Sequence, residues 1–521
     1  MAGWRVFWVA RGPVSQRVRK CLPAGYGDLA EREHDVGVRA GDPVFLSPDC
    51  RVDPVLGLYG QSTRFRAYTA ETRRNYATDI SLLLTFLWGR GREWTSASAR
   101  DVEDFEHWRR FAEENPDRIG GAKWDRELAA FASLYRWAAR DGHCGSNPVA
   151  MKQIVGRDGV SIAVPVARAK DARRSNVHWL TPRTWRLWID VGLRGHTPAG
   201  LPEPSWVGRL EDRNVAFVRL LTSSGLRRAE GGSLLAFEVP VRQLDGGRYY
   251  RGKVAAGVTR SKRSRTFYVA ADAVGEIQAY VASSRALAVR GAQSQRLYQQ
   301  LPEIRFVTDI TRRMNPVVRW RNQVGAVGER KLDDLTVAER MLLYVEGAGG
   351  PEPLWLWLNE RGLPFRIHSW DGVFATANRR CERVLTPSNR IGLDPHQVFA
   401  PYATPHSARH SFALYMLVVL NTLMDQKYGL SPEERRDFRQ LYGDPWFMVQ
   451  TLLGHASRET TVDRYLAPVA DLQLRSMLAG ASDPAPAPMP ELDATFARIA
   501  QDSVGIQDVD AHMAGPAEGV Q

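Results

Sequence analysis

From Thr72 onward apolar side chains recur at helical spacing. Tyr76, Ile80, Leu83, Leu84 and Leu87 fall on one face, with Arg73, Arg74 and Asp79 elsewhere. Gly89 and Gly91 predict the end of that helix. Thr95-Ser-Ala-Ser leads into a second helix, Ala99 to Glu113. Leu128, Phe131, Leu134, Tyr135 and Ala138 form a third stripe, closed by Gly142 and Pro148, and a further short helix near 123 would join the set. The pattern predicts a compact helical domain over 68–148. Residues 1–67 keep no such period. Gly, Pro and Asp recur there in GYGD, GDPVFLSPDC and VDPVLGLYG, which predict turns around short strands in an N-terminal accessory region with no evident chemistry.

Residues 149–177 read as a basic linker. GRDGVSIAVPVARAKDARRSN mixes charges without a sustained period, and such a connector either tracks a DNA backbone or is an ordinary solvated segment. A second domain, 178–478, opens at His178-Trp-Leu-Thr-Pro, where Thr181 is a helix cap and Pro182 suits the first turn. Helical patterns follow at 182–192 and 211–224. Residues 247–270 predict strands around a basic turn, with FYVA as the apolar return strand. Most of the remainder to about 478 reads helical, except PLWLWLNERGLPF, an extended piece running into a turn. The tail, 479–521, begins with the Pro/Ala spacer ASDPAPAPMP and holds one patch, LDATFARIA at 492–500, with the pattern of a short amphipathic helix. The fold class predicted is mainly α with a small β-sheet, an α+β arrangement.

Composition narrows the picture. At 521 residues the prior is three to four domains; 44% hydrophobic and 25% charged residues exclude a mainly disordered chain. No run of about 18 uncharged apolar residues exists to cross a membrane, and the apolar start MAGWRVFWVARG, broken by Arg5 and Arg11, is too short for a secretion signal, so the expected location is the cytoplasm, with the nucleoid. Cys21, Cys50, Cys144 and Cys381 make no CxxC pair, which argues against a disulfide framework or zinc site. The net charge is +12, but the segment 481–521 carries seven acids and one base, leaving +18 on the body. A body this basic suits a polyanion, nucleic acid first; the bland alternative is a GC-rich genome that favours arginine.

Three segments carry candidate chemistry: Thr222-Ser-Ser-Gly-Leu-Arg-Arg-Ala-Glu230, Pro405-His-Ser-Ala-Arg-His-Ser-Phe412 and Leu452-Leu-Gly-His-Ala-Ser-Arg-Glu-Thr-Thr-Val-Asp-Arg-Tyr465. On a helix His406 and Arg409 share a face. With Arg227 from another segment they could converge on a phosphate, since the arginine fork matches phosphate oxygens and stays charged at every working pH. A tyrosine beside such a set can act as a nucleophile. Each segment alone is weak: a G-L-R is usually a helix start, an HxxRH a surface helix face, and a tyrosine ten residues after a histidine a core aromatic. The informative feature is the set, in this order, on one basic chain.

That set resembles the tyrosine recombinase (phage integrase) family. Gly225 to Glu230 resembles the family's first arginine box, His406-Ser-Ala-Arg409 its H-x-x-R box with His410 trailing, and Leu453-Gly-His455, Thr460-Thr461 and Tyr465 its final box. TRRNYATDISLLLTFL and ELAAFASLYRWAARDGHCGSNPV read like its helical core-binding domain, so the resemblance covers roughly 68–475. It implies a core-binding domain and an integrase-like catalytic domain that form a clamp on double-stranded DNA. Tyr465 would be the nucleophile, forming a 3′-phosphotyrosyl bond and freeing a 5′-hydroxyl. Arg227 and Arg409 would bind the non-bridging oxygens, His406 would assist proton transfer and His455 would add a donor; Glu230 and His410 would support them. The family's general-acid lysine sits on a β-hairpin, and counting back from the return strand of Thr259-Arg-Ser-Lys-Arg-Ser-Arg-Thr-Phe-Tyr-Val-Ala270 selects Lys262 rather than Lys253. Arg260, Arg263 and Arg265 on the same turn, with Arg73 and Arg74 in the first domain, would contact DNA. A solvated turn touching only backbone phosphates is the alternative for Lys262.

The resemblance also implies no cofactor and no metal, a homo-tetramer on DNA, and an accessory directionality factor as a possible partner. Integration or excision of a phage or mobile element is the expected role. A transposase or dimer resolvase of the same family, a catalytically silent DNA binder and a type IB topoisomerase are the competing readings. The chain departs from the pattern in its ten-residue step from His455 to Tyr465, in a long gap before His406, and in the apparent insertion MDQKYGLSPEERRDFRQLYGDP before His455. Residues 466–480 or 492–500 would dock onto a neighbouring protomer, and 500–521 read as a disordered solubilising tail.

Overall fold

The structure is a computed structural model; it describes residues 3–10, 28–155, 161–169, 178–241, 243–244, 247–311, 315–386, 400–426, 445–454, 492–502 and 506–509. The chain divides into two compact units, Met1–Asn176 and Val177–Gln521. Helices dominate both, with small sheets beside them, so the protein is of the α+β class.

In the first unit, helices Ala70–Gly89, Ala99–Arg110 and Gly121–Arg140 carry the three apolar stripes. The third helix runs on through residue 123, so no separate helix exists there. Ser98 and Asp101 form a reciprocal capping box that fixes the start of the second helix. Buried Asp79 accepts from Lys123 Nζ at 2.6 Å and Arg126 Nη2 at 3.1 Å, which ties the first helix to the third. Residues 43–67 are not an irregular appendage. Strand Pro43–Leu46 pairs antiparallel with Arg5–Trp8, and helices Pro54–Gln61 and Thr63–Ala67 follow. Their Phe45, Leu56, Tyr59 and Phe65 share one core with Ile80, Leu84, Phe105 and Phe131. Elements of four to eight residues are too short to show a period, which is why the pattern missed them. The linker is likewise structured where it is described. Met151–Val155 and Ser161–Pro165 pair antiparallel, Trp124 Nε1 donates to Ala167 O at 2.9 Å, and Asp125 accepts from Ala169 N.

In the second unit, helix Glu211–Ser224 runs through the centre, burying Val215, Ala216, Phe217, Val218, Leu220 and Leu221. Around it stand helices Pro182–Trp188, Ala271–Tyr280, Ser369–Leu385 and Pro405–Gln426 and the hairpin Tyr249–Val254/Arg265–Ala270. Thr181 caps the first of these as its sequence predicts. Residues 305–353 correct the helical reading. They hold a five-stranded sheet in the order 327–331, 317–322, 305–310, 343–347, 350–353, antiparallel except where 305–310 meets 343–347. Alternation such as VVRWRN is a two-residue period, but each strand is too short and too charged to stand out. PLWLWLNERGLPF is extended, bridging Leu235 to Trp355 and Leu358 to Pro364 across a turn.

The tail from 492 to 509, where described, is packed on its own unit. Helix Leu492–Asp502 stacks Phe496 on Tyr415, and Ile506–Gln507 adds a parallel strand to Trp179–Leu180. Asp493 pairs with Arg183, and Gln507 exchanges two hydrogen bonds with the backbone of Tyr402. Residues 506–509 are therefore not the free solubilising tail that their composition suggested; apolar Phe496, Ile499 and Ile506 outweigh the acids around them.

Candidate active site

Two glycines of the sequence boxes set the local geometry. Gly225 ends helix Glu211–Ser224 in the left-handed region, φ +63°, and a Cβ there would come within 2.3 Å of the Phe412 ring. Glycine alone satisfies both conditions. The chain then turns, and Arg227 caps the one-turn helix Arg228–Gly232. Gly454, φ +66°, follows helix Pro445–Leu453; a Cβ there would lie 2.5 Å from Arg265 Cδ. Helix Pro405–Gln426 starts at Thr404, whose Oγ1 accepts from Ser407 N while Ser407 Oγ accepts from Thr404 N, with Pro405 in the first turn. His406 and Arg409 therefore lie within its first two turns.

Glu230 is the centre of the site. Only 1% exposed, it accepts from Arg227 Nη1 at 2.9 Å, from Arg227 N at 2.9 Å and from Arg265 Nη2 at 2.8 Å, and it lies 4.0 Å from Arg409 Nη1. Burial alone would push its carboxyl up; Arg265, Arg409 and Arg227 outweigh burial and hold it below the usual carboxylate range. Arg409 is fully buried and donates to the carbonyls of Gly225 and Leu453. It thus joins the first arginine box, the H-x-x-R helix and the end of helix Pro445–Leu453. Arg227 keeps about a third of its side chain in solvent.

His406 stands at the exposed edge of this cluster, its ring 4.3 Å from that of His410, which is buried and also meets Trp179 at 6.2 Å. Desolvation by the protein around it, then the charges of Arg409 and Arg227, push its imidazole down to about 4. The ring is neutral at neutral pH and able to take a proton. The sign for stability follows: between about pH 6.5 and 4 the unfolded chain binds a proton that the native ring refuses, so this group lowers stability as pH falls through that window. An NMR titration is expected to place the His406 midpoint near 4, and Arg227→Ala is expected to raise it. A midpoint at the free-histidine value in wild type would show that neither desolvation nor the arginine charges act on the ring.

The hairpin connection carries Lys262 on an exposed turn at φ +54°, with Nζ 3.3 Å from Gly257 O. Lys253 is held by Asp333 at 2.9 Å. Arg260 and Arg263 are exposed on the same turn. Arg265 is not: its side chain is 13% exposed and turned inward to Glu230 and to Leu452 O at 2.8 Å. Sequence reasoning grouped it with the DNA-facing arginines because it closes a basic run; its position as first residue of the return strand was the signal that it points differently. In the first unit Arg73 Nη1 donates to Gly41 O and Arg74 is exposed. His455 and Tyr465 lie outside the described residues. The structure thus brings Arg227, Glu230, His406, Arg409 and His410 together from segments 184 residues apart.

Residues 64–142, which span the three long helices of the first unit, match the family model described as phage integrase, N-terminal SAM-like domain. Over these residues the chain is similar to the N-terminal SAM-like domain of phage integrases. Arg73 and Arg74 fall inside the matched integrase domain, whereas Phe45, Leu56 and Tyr59, which complete its core, lie before it. Among solved structures, two crystal structures of the XerH site-specific recombinase are similar. The pre-cleavage complex with difH substrate is 13% identical, covering 78% of this chain and 79% of that one, with a TM-score of 0.37. The post-cleavage complex with palindromic difH is 12% identical, covering 82% and 84%, with a TM-score of 0.40. No curated protein matches the chain. No helix among the described residues is long and apolar enough to cross a membrane.

Proposed function

We propose that this protein is a site-specific DNA recombinase, an integrase that cuts and rejoins DNA strands through a 3′-phosphotyrosyl intermediate during integration or excision of a phage or mobile element. The observation that supports it best is the buried Glu230 holding Arg227 beside Arg409, with neutral His406 at the rim. Two arginines preset on one carboxylate form a rigid positive floor for a phosphodiester. Such preorganised charge stabilises the crowded phosphorane-like transition state without reorganising.

In the reaction, Tyr465 Oη attacks the scissile phosphorus and its proton passes to His406. The new P–O bond forms as the bond to the 5′-oxygen breaks. Lys262 leaves Gly257 O and donates the proton that the departing 5′-oxygen needs. The phosphotyrosyl ester keeps the bond energy, and a 5′-hydroxyl of another strand reverses the step. The partners are double-stranded DNA, three further copies of the chain on that DNA, and a directionality factor. Arg260, Arg263 and Arg74 contact phosphates, so binding weakens steeply with salt.

Since arginines supply the charge that metal ions supply elsewhere, nicked duplexes carrying the DNA that flanks this gene are expected to be cut in excess EDTA, leaving a free 5′-hydroxyl. A strict requirement for Mg²⁺ in strand cleavage would overturn the proposed chemistry.

A further inference from the structure

The proposed catalytic set does not use Arg265, yet its guanidinium holds two parts of the frame around that set. It is the first residue of the return strand Arg265–Ala270, directly after the exposed basic turn. Its Nη2 donates to Glu230 at 2.8 Å and its Nη1 to Leu452 O at 2.8 Å. Leu452 and Leu453 end helix Pro445–Leu453, whose last carbonyls have no partner within the helix and carry the negative end of its dipole. Arg265 takes the carbonyl of Leu452 and Arg409 that of Leu453. On its other side Arg265 Cδ packs where a side chain at Gly454 would have to stand. A guanidinium so placed fixes three things at once: the carboxylate that holds Arg227, the end of the helix, and Gly454 just after it.

We propose that Arg265 is a positioning residue: it couples the basic hairpin to the end of helix Pro445–Leu453, and so holds that helix end and Gly454 against the arginine floor. It acts through Glu230 and the Leu452 carbonyl and does not touch the scissile phosphate. The consequence for catalysis rests on the recombinase reading; the consequence for the helix end does not. Because Arg265 closes a basic run, direct binding to a phosphate is the reading it displaces. If Arg265 gripped a phosphate, its removal would weaken DNA binding in step with cleavage. If it positions the site, its removal leaves binding and lowers the rate at saturating DNA.

The test uses the full chain as wild type, Arg265→Ala, Arg265→Lys and, as a second perturbation of the same packing, Gly454→Ala. Hydrogen exchange of the backbone over 445–454 is measured first, without DNA, together with the melting temperature. Exchange is expected to rise at least tenfold at the helix end in Arg265→Ala and Gly454→Ala while the rest of the unit keeps its protection, and to recover in part in Arg265→Lys, which keeps the charge and reaches only one of the two acceptors. Unchanged exchange at 445–454 in Arg265→Ala overturns the proposal whether or not the protein cuts DNA. With nicked DNA, Arg265→Ala is expected to bind within about threefold of wild type and to form covalent adduct at least a hundredfold more slowly. Loss of binding parallel to loss of adduct would make Arg265 a plain phosphate ligand and overturn the proposal. A wild type that binds but forms no adduct would strike the recombinase reading alone, since the exchange result stands apart from it.

Discussion

Arg409→Ala is expected to lower strand cleavage at least a thousandfold while DNA binding changes by less than tenfold. Removing one preorganised donor to a developing oxyanion costs roughly 3–4 kcal/mol, itself a factor of about 10²–10³. Here the same side chain also braces the site. It donates to Gly225 O, where the first arginine box begins, and to Leu453 O, just before His455. Alanine removes a charge and releases both carbonyls. Arg409→Lys keeps the charge but has no planar fork to span the two acceptors, so most of the loss should persist. Binding is expected to survive because the residue is fully buried, while Arg260 and Arg263 of the hairpin turn face solvent. The measurement is single-turnover cleavage at saturating DNA beside a binding isotherm. Cleavage by Arg409→Ala within tenfold of wild type would remove Arg409 from the site.

Glu230→Ala is expected to be the most destabilising change in this region, by roughly 3–5 kcal/mol, the cost of leaving buried charge without its partner. Arg265 and Arg227 would lose their shared carboxylate, and Arg409 would face both across a gap. The pH dependence fixes the cause. The native carboxyl is held below its usual range, so its contribution is complete above the unfolded value near 4.5 and fades as pH falls through the lowered native value. The gap in melting temperature between wild type and Glu230→Gln should therefore be widest near neutral pH and narrow as pH falls below the unfolded value of about 4.5. A gap independent of pH would mean that Glu230 acts through shape and not charge.

The sequence and the structure agree where physics is local. The long stripes of the first unit and the capped start at Thr181 were legible because period and caps are properties of a few neighbouring residues. The boxes stand out in the sequence because order and spacing survive in one dimension; the structure describes the first two and only the start of the third. Their glycines acquire a reason only in three dimensions: Gly225 makes room for Phe412, and Gly454 makes room for Arg265. The role of Arg265 was not legible, since a basic run looks the same whether its last member faces DNA or turns inward. The sheet over 305–353 escaped because its strands are short and its register is set by pairing between segments distant in sequence. The packing of Ile506–Gln507 beside Trp179–Leu180 joins residues more than three hundred positions apart, and the acidic composition pointed the other way.

The proposed reaction stands on a covalent bond between Tyr465 and DNA. Wild type and Tyr465→Phe would be incubated in EDTA with a randomised library of nicked duplexes, resolved on denaturing gels, and any adduct digested for mass spectrometry. The expected result is an adduct with wild type only, a nucleotide mass on the peptide containing Tyr465, and retained DNA binding by the phenylalanine variant. An adduct of equal yield with Tyr465→Phe, or one mapped to another residue, would contradict it.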